Sequence, residues 1–505
     1  MVVGSMNVAH SLQIKTIPSS SNRIMMMASP QTPIQVIQTS LYTNERLSPG
    51  SPLQWINTRK QPMQHQIPLI KLHSQTQYQQ IIGFGCALTE AAGFTFATMN
   101  DRIKQQILDL YWTEKGLNYT LARIHMNSCD FSLDNYSCDD VEGDYELVNF
   151  NIRRDKIFTL PLIKRVLNQV KSNYPNKGEG FKIFLSPWSP PYWMKYNKKM
   201  DGSAQPNGLI NSTQIMSAWA LHFSKFVSHY KSEGVDRMWG LTVQNEPEFA
   251  APWDACCYTP DYQAYFIANY LGPRLKADHP ELKIMIYDHN RDHVEKWAQT
   301  IYSNPKAAQY VDGMAFHWYV DEEYENLSRA YRVNSQKFLL ATEACWDHGV
   351  SLGNWTRGEK YGYDIINDLN NYASGWTDWN CILDYRGGPN HLNNFCDAPI
   401  IADNRTQEIH IQPTYYYFGH FSKFISQGSR RIHFEQLTSD GKQPLENSLL
   451  LTSFKTPDHK VVTVVQNKDE QYLHFYMVDS DVFGEEYYVL VSVPPRGIKT
   501  LIYEY

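Results

Sequence analysis

The stretch WGLTVQNEP, Trp239 to Pro247, begins as a buried strand and ends in an amide, a carboxylate and a proline. Trp239-Gly240-Leu241-Thr242-Val243 is a short apolar run of the kind a fully buried parallel strand shows. Pro247 cannot donate to a ladder, so the strand cannot run on. A glutamate in that position is ordinarily a loop residue. In a closed barrel of parallel strands the same position is the mouth, where catalytic side chains stand.

The rest of the chain supplies the barrel. Buried-strand candidates recur at 81–85 (IIGFG), 120–127 (TLARIHMN), 181–189 (FKIFLSPWS), 239–246, 283–290 (KIMIYDHN), 313–319 (GMAFHWY), 338–345 (FLLATEAC) and 375–380 (GWTDWN). Amphipathic stretches such as MNDRIKQQILDLYW and TLPLIKRVLNQVKSNY lie between them. Eight strands alternating with helices predict an α/β fold, a (β/α)8 TIM barrel. An open doubly wound sheet is the competing architecture, but GFGCA lacks the third glycine of a dinucleotide-binding turn.

Outside the barrel the rhythm changes. RRIHFEQL, SLLLTSF, KVVTVVQN, QYLHFYMV, EYYVLVSV and KTLIYEY close the chain as short strands separated by turn residues, and PIQVIQTS, LQWINTR and LIKLHS near its start look similar. They predict an antiparallel β-sandwich built from both chain ends. The expected division is a flexible leader over 1–34, early sandwich strands over 35–75, the barrel over 76–416 and the remaining sandwich over 417–505.

Composition excludes several classes. A net charge of −6 and a pI near 6.3 leave no basic footprint for nucleic acid. No run of 18 apolar residues is present, so no segment reads as a membrane-spanning helix. The eight cysteines form no CxxC pair and have no histidine at metal-ligand spacing, which predicts mostly free thiols and no zinc site. Residues 1–34 show no charged segment followed by an apolar one, so no conventional signal peptide is evident.

The strand ends carry a pattern. Arg123 lies on strand two and Asp130 just beyond it, Trp188 follows strand three, and Asn245-Glu246 follow strand four. His317-Trp318-Tyr319 end strand six, Thr342-Glu343 strand seven, and Trp376 to Asn380 strand eight. Strands four and seven face each other across a closed barrel, so Glu246 and Glu343 can converge. Two facing carboxylates are what glycoside hydrolysis requires. A metal site is the rival for a carboxylate–histidine cluster, but His317 has no second histidine nearby in sequence. Asp378 reads as a structural residue held by an ion pair.

At these residues the sequence resembles glycoside hydrolase family 30, through SCDFS (128–132), SPWSPPYWMK (186–195), NEP (245–247), HWY (317–319), TEAC (342–345), GWTDWN (375–380) and GGPN (387–390). The resemblance runs over 81–425 and implies a retaining β-glucosidase working without cofactor or metal. It makes Glu246 the acid/base and Glu343 the nucleophile. Asn245 contacts the sugar 2-hydroxyl, Asp130 and Trp188 the distal hydroxyls, Trp379 supplies a wall, and Asn394 meets the ring near its hydroxymethyl group. Arg123 and Tyr319 hold Glu343 ionised, with His317 in support. The implied substrate is glucosylceramide or another β-glucoside. A β-xyloside or a β-1,6-glucan is the alternative, and a carbohydrate-binding protein without activity a weaker one. A lipid substrate implies peripheral contact with a bilayer through aromatic loops, with Trp253 in the rim segment after Glu246, and favours a secreted or lumenal setting.

Overall fold

Side chains on a strand alternate, so residues two apart share a face. In this chain that rule builds a barrel with an apolar floor and a polar layer above it. The computed structural model describes residues 30, 32–64, 66–173, 180–438, 440–446 and 448–504. The leader expected over 1–34 lies, but for its last few positions, outside the described residues.

Eight parallel strands close the barrel in chain order: Gly83–Ala87, Leu121–Met126, Lys182–Pro187, Met238–Thr242, Lys283–Asn290, Gly313–His317, Phe338–Glu343 and Ala373–Asn380. Leu121, Phe184, Met285, Ala315 and Leu340 form one apolar cluster within it. Two residues further along their strands stand Arg123, Ser186, His317 and Thr342, all buried. The apolar layer fills the barrel, and the polar one forms the base of its mouth. Gly85 sits where a Cβ would come within 1.9 Å of the Leu121 carbonyl oxygen, so the first two strands close on each other only through a glycine.

The helices begin as their sequences dictate. Asn100 caps Asp101–Trp112 by accepting from the Ile103 N–H, and Ser212 caps Thr213–Ser232 by accepting from the Ile215 N–H. Thr259 caps Pro260–Phe266, with the proline at the first helical position, where its missing N–H costs nothing.

Both chain ends build the second layer. Gln35–Ser40 pairs with Gly497–Glu504, and Leu69–Gln80 lies between Arg430–Leu437 and Leu473–Asp479 in a ten-stranded sheet. Pairing is antiparallel except where Leu473–Asp479 runs parallel to Leu69–Gln80. This sheet is tied to the barrel by a bidentate ion pair from Arg496 to Glu359, with both contacts at 2.6 Å. His420 adds a second tie, bridging Thr39 and Thr500 at 2.9 and 2.8 Å from the helix Pro413–Ser422, whose Phe418 packs on Phe84 and Trp376 of the barrel and which runs across the division expected at 416. The eight cysteines are free thiols. Among the described residues no helix is long and apolar enough to cross a membrane.

Two buried histidines set an acid limit on this fold. Burial pushes both His222 and His420 down to about 3, from an ordinary 6.5. His222 packs against Phe150 and Trp219, and neither of its ring nitrogens has a hydrogen-bond partner among the described residues. The unfolded chain binds a proton at such a group below about pH 6.5 while the folded chain does not, so stability falls as pH drops through that window. His222→Phe is expected to remove its share, up to about 1.4 kcal/mol per pH unit. Denaturant midpoints of wild type and variant, measured from neutral to acid pH, should diverge as pH falls; parallel curves would contradict the assignment.

Candidate active site

The fourth barrel strand ends at Thr242, four residues before the carboxylate-bearing end that its sequence suggests. The backbone beyond it is nevertheless braced, because the Asn245 N–H donates to the Pro187 carbonyl at 2.8 Å and the Glu246 N–H to the Asp288 carbonyl at 2.9 Å. Glu246 adopts φ 47°, a left-handed conformation unusual for a glutamate. Strain of this kind persists only where the surroundings enforce it. The seventh strand ends on Glu343, whose direction is reset by a register shift against the sixth strand between Phe316 and His317.

Arg123 ties the site together. It is fully buried and its Nη1 donates to Glu343 Oε2. Its Nη2 donates to Asn245 Oδ1 and Asp288 Oδ2, both at 2.9 Å, and its Nε to Ser186 Oγ at 3.0 Å. Tyr319 donates its hydroxyl to Glu343 Oε1 at 2.8 Å. Glu343 therefore receives one donor on each oxygen. His317 stands between two carboxylates, with Nδ1 at 3.3 Å from Glu246 Oε1 and Nε2 at 3.0 Å from Asp288 Oδ1.

The charges do not order as a simple acid–nucleophile pair. Burial pushes Glu343 up and the Glu246 charge adds to this, while His317 and Arg123 pull against it. Burial also pushes Glu246 up, but the hydrogen bond from His317 and the charge of His289 outweigh it and hold Glu246 below its ordinary value. His317, against the downward push of burial, is raised to about 9 by Glu343, Asp288 and Glu246. Across the Glu246–His317 contact the carboxyl is thus pulled down and the imidazole up, so each favours the charged form of the other.

The eight residues expected to catalyse or bind line one cavity of about 390 Å³, with Arg123 and His317 behind its wall. Trp188 and Trp379 stack with ring centroids 5.1 Å apart. The Arg123 guanidinium lies over both rings, 4.8 and 5.4 Å from their centroids. On the same cavity, Asp130 accepts from the side-chain amides of Asn394 and Asn390 at 3.3 and 3.4 Å. Burial and the Glu343 charge raise Asp130 well above the usual carboxylate range. Trp253 reaches the same cavity beside Phe249, their ring centroids 5.6 Å apart.

Three residues escape the sequence reading. Asp288, at the end of the fifth strand, accepts from Arg123, from Thr242 Oγ1 and Thr342 Oγ1 at 2.6 Å each, and bonds His317. Burial would raise it, yet Arg123 and His317 hold it far below the usual carboxylate range. Its neighbour His289 lines the cavity and lies 3.7 Å from Glu246 Oε1, giving His317 the companion histidine that linear spacing denies it. Asn390 joins Asn394 on Asp130. The polar end YDHN of the fifth strand was the available signal. Asp378 corrects a second expectation: it is buried and accepts the Tyr361 hydroxyl at 2.8 Å, with no ion pair among the described residues.

Comparisons with known proteins agree with this fold. Residues 81–425 match the glycosyl hydrolase family 30 TIM-barrel domain, and residues 428–501 match the glycosyl hydrolase family 30 beta sandwich domain. The chain is 34% identical over 431 residues to lysosomal acid glucosylceramidase of Mus musculus, covering 82% of this chain and 80% of the relative. It is 32% identical over 369 residues to the endo-1,6-beta-D-glucanase neg1 of Aspergillus fumigatus, covering 70% of this chain and 71% of that one. The crystal structure of SrfJ from Salmonella typhimurium superimposes with a TM-score of 0.84 at 29% identity, over 94% of this chain and all of the other. With a barrel match that takes in well over half of its length, the chain belongs to glycosyl hydrolase family 30 and is a glycoside hydrolase.

Proposed function

We propose that the chain is a retaining β-glucosidase that cleaves glucosylceramide through a covalent glucosyl-enzyme. The carrying observation is the convergence of Glu246 and Glu343 on one cavity, with Arg123 bonded to both Glu343 and Asn245. Glu343 attacks the anomeric carbon while the bond to the leaving oxygen breaks, and Glu246 protonates that oxygen. The proton comes from the Glu246–His317 unit. Esterification then removes the negative charge of Glu343, which keeps Glu246 ionised after it has given up its proton and so free to take one from the attacking water.

Asn245, held by Arg123, presents its amide to the sugar 2-hydroxyl. Asp130, with Asn394, meets the distal hydroxyls beside the stacked Trp188 and Trp379. A cavity of about 390 Å³ stands near the small end of ligand pockets and suits one sugar ring better than a long glucan. Phe249 and Trp253 lie where the aglycone leaves and offer an apolar rim to a ceramide or a bilayer surface. The name of the mouse relative supports this substrate, and that of the fungal relative supports the β-1,6-glucan alternative.

The test is a panel of aryl β-glucoside, β-xyloside and β-galactoside, followed by fluorescent glucosylceramide and a β-1,6-glucan oligomer. Preferred turnover of the β-glucoside and of glucosylceramide, with the β-anomer of glucose appearing first by NMR, is the expected result. First appearance of the α-anomer would overturn retention. Preference for the oligomer would replace the substrate and keep the site.

A further inference from the structure

Three donor atoms from separate parts of the barrel meet at one wall of the cavity. One ligand atom each from Glu246, His289 and His317 lies within 4.8 Å of the other two. Glu246 Oε1 is 3.3 Å from His317 Nδ1 and 3.7 Å from His289 Nδ1. A tetrahedral ion with bonds of about 2.0–2.1 Å sets its ligand atoms roughly 3.3–3.4 Å apart. Both distances from Glu246 to the imidazoles lie within a few tenths of an ångström of that spacing.

Two further observations point to a ligand. His289 Nδ1 is buried and has no hydrogen-bond partner among the described residues, which is costly unless something occupies it. His317 turns Nε2 to Asp288 and so can offer Nδ1 as the donor, the carboxylate–histidine arrangement that orients metal ligands. Asp288 is itself fixed by Arg123, Thr242 and Thr342. Two imidazoles and one carboxylate suit Zn²⁺ or Cu²⁺, whereas Mg²⁺ and Ca²⁺ require more oxygen ligands.

We propose that Glu246, His289 and His317 form an inhibitory site for a divalent transition-metal ion of the Zn²⁺ or Cu²⁺ kind. The ion takes the place of the proton between His317 Nδ1 and Glu246 Oε1, its fourth position faces the cavity, and Glu246 can no longer donate. Binding stands on the cluster alone, and only the inhibition rests on Glu246 being the acid/base.

Calorimetric titration of the full chain with Zn²⁺ at neutral pH tests the binding, with Co²⁺ substitution reporting tetrahedral geometry through its visible bands. His289→Gln is expected to weaken Zn²⁺ at least about 100-fold, since loss of an outer-shell partner alone costs 10–100-fold. A second histidine cluster, His73–His433–Glu435 on the sandwich sheet, is controlled by His433→Gln. Binding that survives His289→Gln, or is lost only in His433→Gln, overturns the proposal. Thermal unfolding confirms that each variant is folded. Zn²⁺ that binds without slowing turnover of an aryl β-glucoside overturns the inhibitory role. Absence of any β-glucoside turnover counts against the glucosidase reading and leaves the Zn²⁺ titration of the two variants to decide the metal site.

Discussion

Glu343→Gln is expected to lower turnover of an aryl β-glucoside at least about 10⁴-fold, because the covalent route is lost with the nucleophile. Arg123 and Tyr319 place a donor on each oxygen of this carboxylate, so glutamine keeps the shape of the contact and removes the charge. Glu246→Gln is expected to cost about 10²–10⁴-fold on a poor leaving group and far less on a strongly acidic phenol, which departs without protonation. A series of aryl glucosides graded by leaving-group acidity distinguishes the two. Equal losses across the series in both variants would remove the proposed roles, and the opposite pattern would exchange them.

Azide separates the roles by product stereochemistry. In Glu246→Ala the proposed glucosyl-enzyme is expected still to form on Glu343. Azide then attacks the anomeric carbon from the opposite face and displaces the carboxylate, so the product is β-glucosyl azide. In Glu343→Ala azide enters the space left by the carboxylate, displaces the phenolate in one inversion, and yields α-glucosyl azide. NMR of the two products reads the assignment directly. No azide product from either variant would argue that neither glutamate touches the reacting carbon.

The barrel was legible because its strands are buried on both faces and read as apolar runs, while its helices alternate with them. The fourth strand was read as running to Glu246, and it stops at Thr242 because the backbone beyond must turn through the left-handed conformation of Glu246. Strand ends also located the glutamates, Arg123, Tyr319 and the two tryptophans of the stack. Asp288 and His289 stayed hidden for a physical reason. Tyr287 and Asp288 both take φ 71°, and the fifth strand shifts register against the sixth there. Simple alternation along KIMIYDHN therefore gives the wrong faces beyond the shift. The partition of protons among Glu246, His317 and Asp288 was equally invisible, since it depends on distances between residues far apart in the chain.

Arg291 carries the largest expected effect on stability. Its Nη1 donates to Asp364 Oδ2 at 2.9 Å and Asp368 Oδ1 at 3.0 Å, and all three side chains are fully buried. Its Nη2 reaches Asp364 Oδ1 and the carbonyls of Trp318 and Val320. Arg291→Met would leave two buried carboxyl groups with only the partly exposed Lys360, 3.9 Å from Asp364 Oδ1, as a cation, and loss of a buried partner of this kind costs about 3–5 kcal/mol. The same change would release the segment on either side of Tyr319, whose hydroxyl bonds Glu343, so kcat should fall along with the denaturant midpoint. Replacing both aspartates by leucine in the Arg291→Met background should recover much of the stability, because an apolar cluster of similar volume has no unpaired charge to solvate. It should not fully recover kcat, since the carbonyls of Trp318 and Val320 still lack their donor. If the single variant unfolded at the wild-type midpoint, the buried ion cluster would not be what holds this strand end. If the triple variant regained full activity, Tyr319 would not depend on Arg291 for its place.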